Sequence, residues 1–177
     1  MKDLMVDIET MGKSVGCKVM SIGACKFDIK TGEIGETFHQ EINLASCPGF
    51  YDDSTVIWWL GQSDEARSKF ANNDKAPHVA SVMGEFMEFV DGNSKVWGNG
   101  ATFDNSILIN LANQLNIPVK WKFWNDRDVR TMVDMGQVIG FDPKKDMPFV
   151  GVKHDALADA IHQAKYVSAI YSKLTAH

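Results

Sequence analysis

Three stretches of strand character follow one another within the first 43 residues, too closely for a crossover between them. Residues 3–9 read as a buried first strand. Residues 18–28, with Val19, Ile22, Ala24 and Phe27, and residues 34–43 read as the next two, joined at the turn-forming Lys30-Thr31-Gly32-Glu33. Parallel neighbours need a connection of about a dozen residues or more, so this N-terminal part is committed to an antiparallel meander. The hydrophobic period then changes. Ser54 is expected to cap a short helix through Val56-Ile57-Trp58-Trp59-Leu60, and Ser63-Asp64-Glu65 to start another. Residues 78–91 place Val79, Val82, Met83, Phe86 and Val90 at helical spacing, ending at Gly92. A strand at 95–98 precedes helices over 103–115, 129–139 and 155–174. A meander followed by alternating helices and strands predicts an α/β fold, with a mixed sheet flanked by helices, in one domain spanning residues 1–177.

Composition narrows the setting. Three cysteines (Cys17, Cys25 and Cys47) show no metal-ligand spacing, which predicts buried free thiols and a reduced, cytoplasmic protein. No apolar run approaches the roughly 18 residues of a membrane span, and Met1-Lys2-Asp3 leads straight into a strand, so neither membrane association nor a signal segment is expected. The net charge of −5 argues against coating of a polyanion. Residues 117–153 nevertheless carry seven Lys/Arg against five Asp, +2 locally, leaving −7 elsewhere. That distribution favours local capture of a nucleic acid end.

Three short motifs carry the chemistry: Asp7-Ile8-Glu9-Thr10, Asn99-Gly100-Ala101-Thr102-Phe103-Asp104, and His154-Asp155-Ala156-Leu157-Ala158-Asp159. Each lies where a strand ends or a helix begins, so side chains from distant segments can converge there. Asp7 and Glu9 share one strand face, with Ile8 on the other. Asp104 opens one helix; Asp155 is placed to cap the last, with Asp159 one turn further in. Singly, each has an ordinary structural explanation. Together, four acids gathered in one place repel one another unless cations lie between them, which points to bound metal and a two-metal phosphodiesterase site. His154 adds a side chain that titrates near neutral pH, the natural general base.

The order DxET, NxxxFD, HxAxxD resembles the DEDDh 3′–5′ exonucleases, of the RNase T and polymerase-proofreading-subunit superfamily, over residues 4–172. Ser54-Thr55, Trp58-Trp59, Gln62-Ser63, Trp97-Gly98-Asn99-Gly100 and Asp126-Arg127-Asp128-Val129-Arg130-Thr131 resemble the branch containing T-even phage exodeoxyribonuclease A and the mycobacterial 3′–5′ exoribonuclease group. The resemblance implies a ribonuclease H-like mixed sheet, with parallel strands added to the meander. It also implies hydrolysis of single-stranded DNA or RNA from the 3′ end, releasing nucleoside 5′-monophosphates, with DNA slightly favoured. Asp7, Glu9, Asp104 and Asp159 would ligate two divalent ions, Mg²⁺ or Mn²⁺, as carboxylate-only ligation suits. Asp7 would bridge the ions and His154 would deprotonate the attacking water. Thr10, Met11 (an apolar wedge against the terminal bases), Phe103 and Arg130 are the candidate substrate contacts. Trp58 and Trp59 are adjacent and cannot share a helix face, so one is expected in the core; Trp59 is the candidate to stack on a base or sugar. Arg130 suits a phosphate, and an ion pair with Asp128 or Asp134 explains it about as well. Lys144-Lys145 reads as a solvated loop, and the Trp58/Trp59 helix face would suit a homodimer. An endonuclease, a nucleotide phosphatase and a non-catalytic nucleic-acid-binding module are the competing readings. A full set of four acids and the histidine argues against the last.

Overall fold

The computed structural model describes residues 1–176, and its sheet carries five strands in the order β3-β2-β1-β4-β5. The strands are β1 (Asp3–Thr10), β2 (Val19–Phe27), β3 (Ile34–Glu41), β4 (Lys95–Gly98) and β5 (Asp126–Asp128). β1 pairs antiparallel with β2, Asp7 opposite Gly23, and β2 pairs antiparallel with β3, which is the expected meander. β4 and β5 extend the other edge of β1 in parallel, giving the mixed sheet. The helices are α1 (Asp53–Leu60), α2 (Asp64–Arg67), α3 (Val79–Phe89), α4 (Asp104–Gln114), α5 (Val129–Val138), α6 (Pro143–Asp146) and α7 (Ala156–Thr175). No helix among the described residues is long and apolar enough to cross a membrane.

Alternation along β1 builds a separate core on each sheet face. Leu4, Val6 and Ile8 join Ile22, Val82, Phe86 and Leu108 beneath α3 and α4. Met5 points the other way, into a cluster with Trp97, Val129, Ala160, Ala164 and Val167 beneath α5 and α7. Asp7 and Glu9 continue the Met5 face, so the two acids emerge where that core runs out. Gly23 sets how closely α7 lies over this spot. A Cβ there would sit 2.1 Å from the carbonyl carbon of Ala156 and 2.2 Å from the Leu157 nitrogen, so only a residue without one lets the start of α7 rest on β2 opposite Asp7.

Two expected boundaries differ. Asp52, not Ser54, caps α1: its carboxylate accepts the Thr55 N–H at 3.0 Å, and the Ser54 hydroxyl donates to the same carboxylate from within the helix. α3 stops at Phe89, because Val90 turns extended (ψ 121°) to bury its side chain before Gly92 is reached. All three cysteines are buried and free.

Candidate active site

Four acids of the three motifs meet in one pocket of about 300 Å³, whose walls include Asp7, Glu9, Asn99, Asp104, His154 and Asp159. Asp7 and Glu9 come from β1. Asp104 is the first residue of α4 and only 3% exposed, so it serves the pocket rather than capping the helix from solvent. Gly98 makes room for it, since a Cβ there would lie 3.0 Å from the Asp104 Cβ and 2.6 Å from Asn105 Oδ1. Asp155 caps α7 by accepting the Ala158 N–H at 2.9 Å, which leaves Asp159 one turn inside the helix and turned toward Glu9. Ligand atoms of Glu9, His154 and Asp159 all lie within 4.8 Å of one another.

These carboxyls hold their protons unusually well. Burial, then the charges of Asp104, Glu9 and Asp159, push Asp7 well above the ordinary carboxylate range, against a hydrogen bond from Gln163 Nε2 to its Oδ1 (2.8 Å). Burial raises Glu9 to about 8 despite the nearby Lys69 ammonium. Asp104 rises to about 7, again by burial, opposed by backbone N–H groups of Ile8, Asp104 and Asn99 and by the Arg130 charge. Asp159 is raised by burial and partly relieved by the His154 N–H, which donates to its Oδ2 at 2.9 Å. Arg130 and Lys69 offset only part of the charge of four carboxyls. Asn99 Oδ1 and Gln163 Oε1 are further buried acceptors without a partner. An all-oxygen donor set with one imidazole at its rim therefore fits hard divalent cations.

His154 adopts left-handed backbone geometry (φ 64°), uncommon for a side-chain-bearing residue. Its N–H is taken by Asp159, its carbonyl accepts from Lys69 Nζ, and its ring lies edge-to-face on Trp58, centroids 4.8 Å apart. A cavity of about 380 Å³ adjoins the acid pocket, sharing Glu9 and Phe103 with it and adding Thr10, Lys13 and Trp58. Arg130 borders the acid pocket above Gly100. No carboxylate among the described residues pairs with it. Asp128, one of its anticipated partners, is taken up by the N–H groups of Thr131 (2.9 Å) and Ala101 (2.7 Å).

Two expected contacts are largely buried. Met11, read as a wedge against bases, is 5% exposed in a cluster with Met20, Leu44 and Trp59, and borders neither cavity. Trp59, read as the stacking tryptophan, forms part of the wall of the adjoining cavity but is 3% exposed with its indole N–H on the Thr10 carbonyl (3.0 Å); the exposed one is Trp58. Both corrections have one cause: α1 packs its Trp59 side onto the segment after β1, which covers Met11 as well. Gln163 was legible in principle, being one helical turn from Asp159 on the same face of α7. Lys69, in a short 3₁₀ turn (Ser68–Phe70), carried no such signal.

The family described as the 3′–5′ exoribonuclease Rv2179c-like domain matches residues 2–171. An exodeoxyribonuclease of Enterobacteria phage T4 is 29% identical over 163 residues, covering 76% of this chain and 71% of the phage protein. Among solved structures, exonuclease I superimposes with a TM-score of 0.66 at 16% identity, over 97% of this chain and 42% of that one. Cell-death related nuclease 4 gives 0.65 at 14% identity, over 96% of this chain and 63% of that one. The nuclease domain of 3′hExo, a DEDDh family member bound to rAMP, gives 0.56 at 14% identity, over 97% and 93%. This chain thus spans less than two thirds of the length of exonuclease I and of cell-death related nuclease 4. At these identities the likeness to solved structures is one of fold, the ribonuclease H-like mixed sheet.

Proposed function

The chain belongs to the 3′–5′ exoribonuclease Rv2179c-like family, and from that membership we propose a metal-dependent DEDDh exonuclease that removes nucleoside 5′-monophosphates from single-stranded 3′ ends. The observation carrying the reading is the meeting of Asp7, Glu9, Asp104, Asp159 and His154 in one pocket, from three segments far apart in sequence. Two divalent ions, Mg²⁺ or Mn²⁺, fit the donor set: Asp7 would serve both, Glu9 and Asp159 the first, Asp104 the second. When bound, they would stabilise charge on the attacking and leaving oxygens of the phosphodiester. His154 accepts the proton of the attacking water, its ring steered by Trp58 and its backbone pinned by Asp159 and Lys69. Arg130, unpaired beside Asp104, takes a phosphate oxygen. The adjoining cavity takes the terminal nucleoside, with Phe103 and the exposed Trp58 against the base and Thr10 on its wall.

Residues 1–177 form a single exonuclease domain in this reading, supported by one sheet covered on both faces. DNA is slightly favoured because the phage T4 relative is an exodeoxyribonuclease, while the family description favours RNA. Buried free thiols support a reducing, cytoplasmic setting. Exposed Ile57 and Leu60 on α1 support a homodimer, which light scattering on the purified protein tests.

The test uses 5′-labelled single-stranded DNA and RNA of one sequence with Mg²⁺, Mn²⁺ or EDTA, comparing wild type with Asp7→Ala and His154→Ala. A metal-dependent ladder that shortens from the 3′ end and is lost in both variants is expected, and the faster substrate decides the sugar. Binding without cleavage of either strand would overturn the reading in favour of a non-catalytic module.

A further inference from the structure

A second cleft, of about 510 Å³, lies beside Arg130 and is lined by residues of α5 and α6. Arg130 lines both this cleft and the acid pocket, so the two spaces share that side chain. Val133 lies on its wall, and Lys144 and Lys145 on α6 line it as well. Both lysines are exposed, and among the described residues no carboxylate pairs with either of them or with Arg130. Asp134 and Asp142 also line the cleft, the latter with one oxygen taken by Gln137 Nε2 (2.9 Å) and the other buried. The cleft thus has one net positive charge in a chain that carries −5 overall.

From this continuity we propose that the cleft is a subsite for the upstream part of the strand being cut, its phosphates held in turn by Arg130, Lys144 and Lys145. The inference rests on the exonuclease reading of the acid pocket and says which way the strand leaves it. Its size suits a nucleotide, since sites for small ligands run from roughly 300 to 1,000 Å³. It also gives a use to the basic excess of residues 117–153, which the pocket itself draws on only through Arg130. Another surface competes for that role. Phe123 and Trp124 stand 77% and 59% exposed, edge to face, with Lys122 Nζ 5.4 Å from the Trp124 ring and, among the described residues, no carboxylate paired to Lys120, Lys122 or Arg127. That patch shares no lining residue with the acid pocket, which is why the cleft is preferred.

The test compares wild type, Lys144→Gln/Lys145→Gln and Lys120→Gln/Lys122→Gln, reading the slope of log kcat/KM for a long oligothymidylate against log salt. Each phosphate contact on a single strand contributes about 0.7 to that slope. The cleft variant should therefore flatten it by about 1.4, and its loss of kcat/KM should be smaller for a dinucleotide, while thermal melting confirms an unchanged fold. A slope equal to wild type in the cleft variant, or flattening in the Lys120/Lys122 variant instead, would overturn the proposal. If wild type cleaves nothing with either metal, the exonuclease reading fails separately, and the same slope read from fluorescence anisotropy still decides whether a strand occupies the cleft.

Discussion

Replacing Glu9 with glutamine should abolish cleavage and, in EDTA, make the protein more stable. Glu9 is 8% exposed and burial lifts its carboxyl from 4.5 to about 8. The folded carboxyl keeps its proton to higher pH than the unfolded one. Stability is therefore fully present below 4.5 and is lost as pH climbs from there toward 8. Linkage over that interval gives a cost of about 3 kcal/mol at pH 7 and about 1 kcal/mol at pH 5, which glutamine removes. For a chain of this size 1 kcal/mol is worth about 2–4 °C in Tm, so the variant should melt about 6–12 °C higher at pH 7 and only about 2–4 °C higher at pH 5. Thermal unfolding followed by circular dichroism in EDTA at the two pH values is the assay. Mn²⁺ should then raise the wild-type Tm more than the variant's, narrowing the gap, because a ligand stabilises in proportion to its affinity for the folded state. A Tm difference that is the same at both pH values, or a variant less stable at pH 7, would refute the claim that Glu9 waits in the fold for a countercharge.

Gln163→Leu removes the donor to Asp7 Oδ1 while leaving helix α7 intact; metal affinity, measured by calorimetry with Mn²⁺, should fall by about 10- to 100-fold, as supporting residues around metal ligands typically show. Gly23→Ala forces a Cβ against the Ala156–Leu157 backbone at 2.1–2.3 Å; stability should drop by about 1–3 kcal/mol or more in a melt, and kcat should fall although Gly23 does not line the acid pocket, because α7 carries Asp159. Trp58→Ala should leave the Tm nearly unchanged but raise KM, a lost base contact being worth about 1–3 kcal/mol, whereas Trp59→Ala should cost about 3–5 kcal/mol of stability; the reverse pattern would return the stacking role to Trp59.

Much of this fold can be read directly from period and turn chemistry. The meander is legible because three strand-forming runs follow one another over short connections and Gly32 adopts the left-handed geometry its turn requires (φ 73°). α3, α4, α5 and α7 are legible from apolar spacing. β5 and α6 are not. β5 is the tripeptide Asp126-Arg127-Asp128, with no apolar residue, and it exists because β4 offers a free parallel edge and because Trp121 and Asn105 donate to Asp126. α6 is four residues started by Pro143. In the site, the five motif residues are legible by type and order, and the structure gathers them. Choosing between Trp58 and Trp59 requires knowing which side of α1 meets the core, and two adjacent aromatics on a helix with almost uniform hydrophobicity do not disclose it. Met11 follows the same logic: it looks available next to Thr10 only until α1 is laid over it.

The unfavourable charge of the pocket and its catalytic promise have the same origin. Four carboxyls pushed above their ordinary range are a cost that a surface site would avoid, since water would screen them. Here two backbone approaches enforce it: Gly23 lets α7 press on β2 opposite Asp7, and Gly98 lets Asp104 turn in beneath β4. Both depend on the absence of a Cβ, and both draw acids out of water toward a common centre. Apolar layers on each side of β1 supply the stability that tolerates this. A cation entering such a pocket meets ligands already desolvated and already positioned, so little reorganisation is left for the moment of reaction. The pH-dependent gain expected for Glu9→Gln and the loss of activity in the same variant are therefore two readings of one arrangement, and a variant that showed the first without the second would separate them.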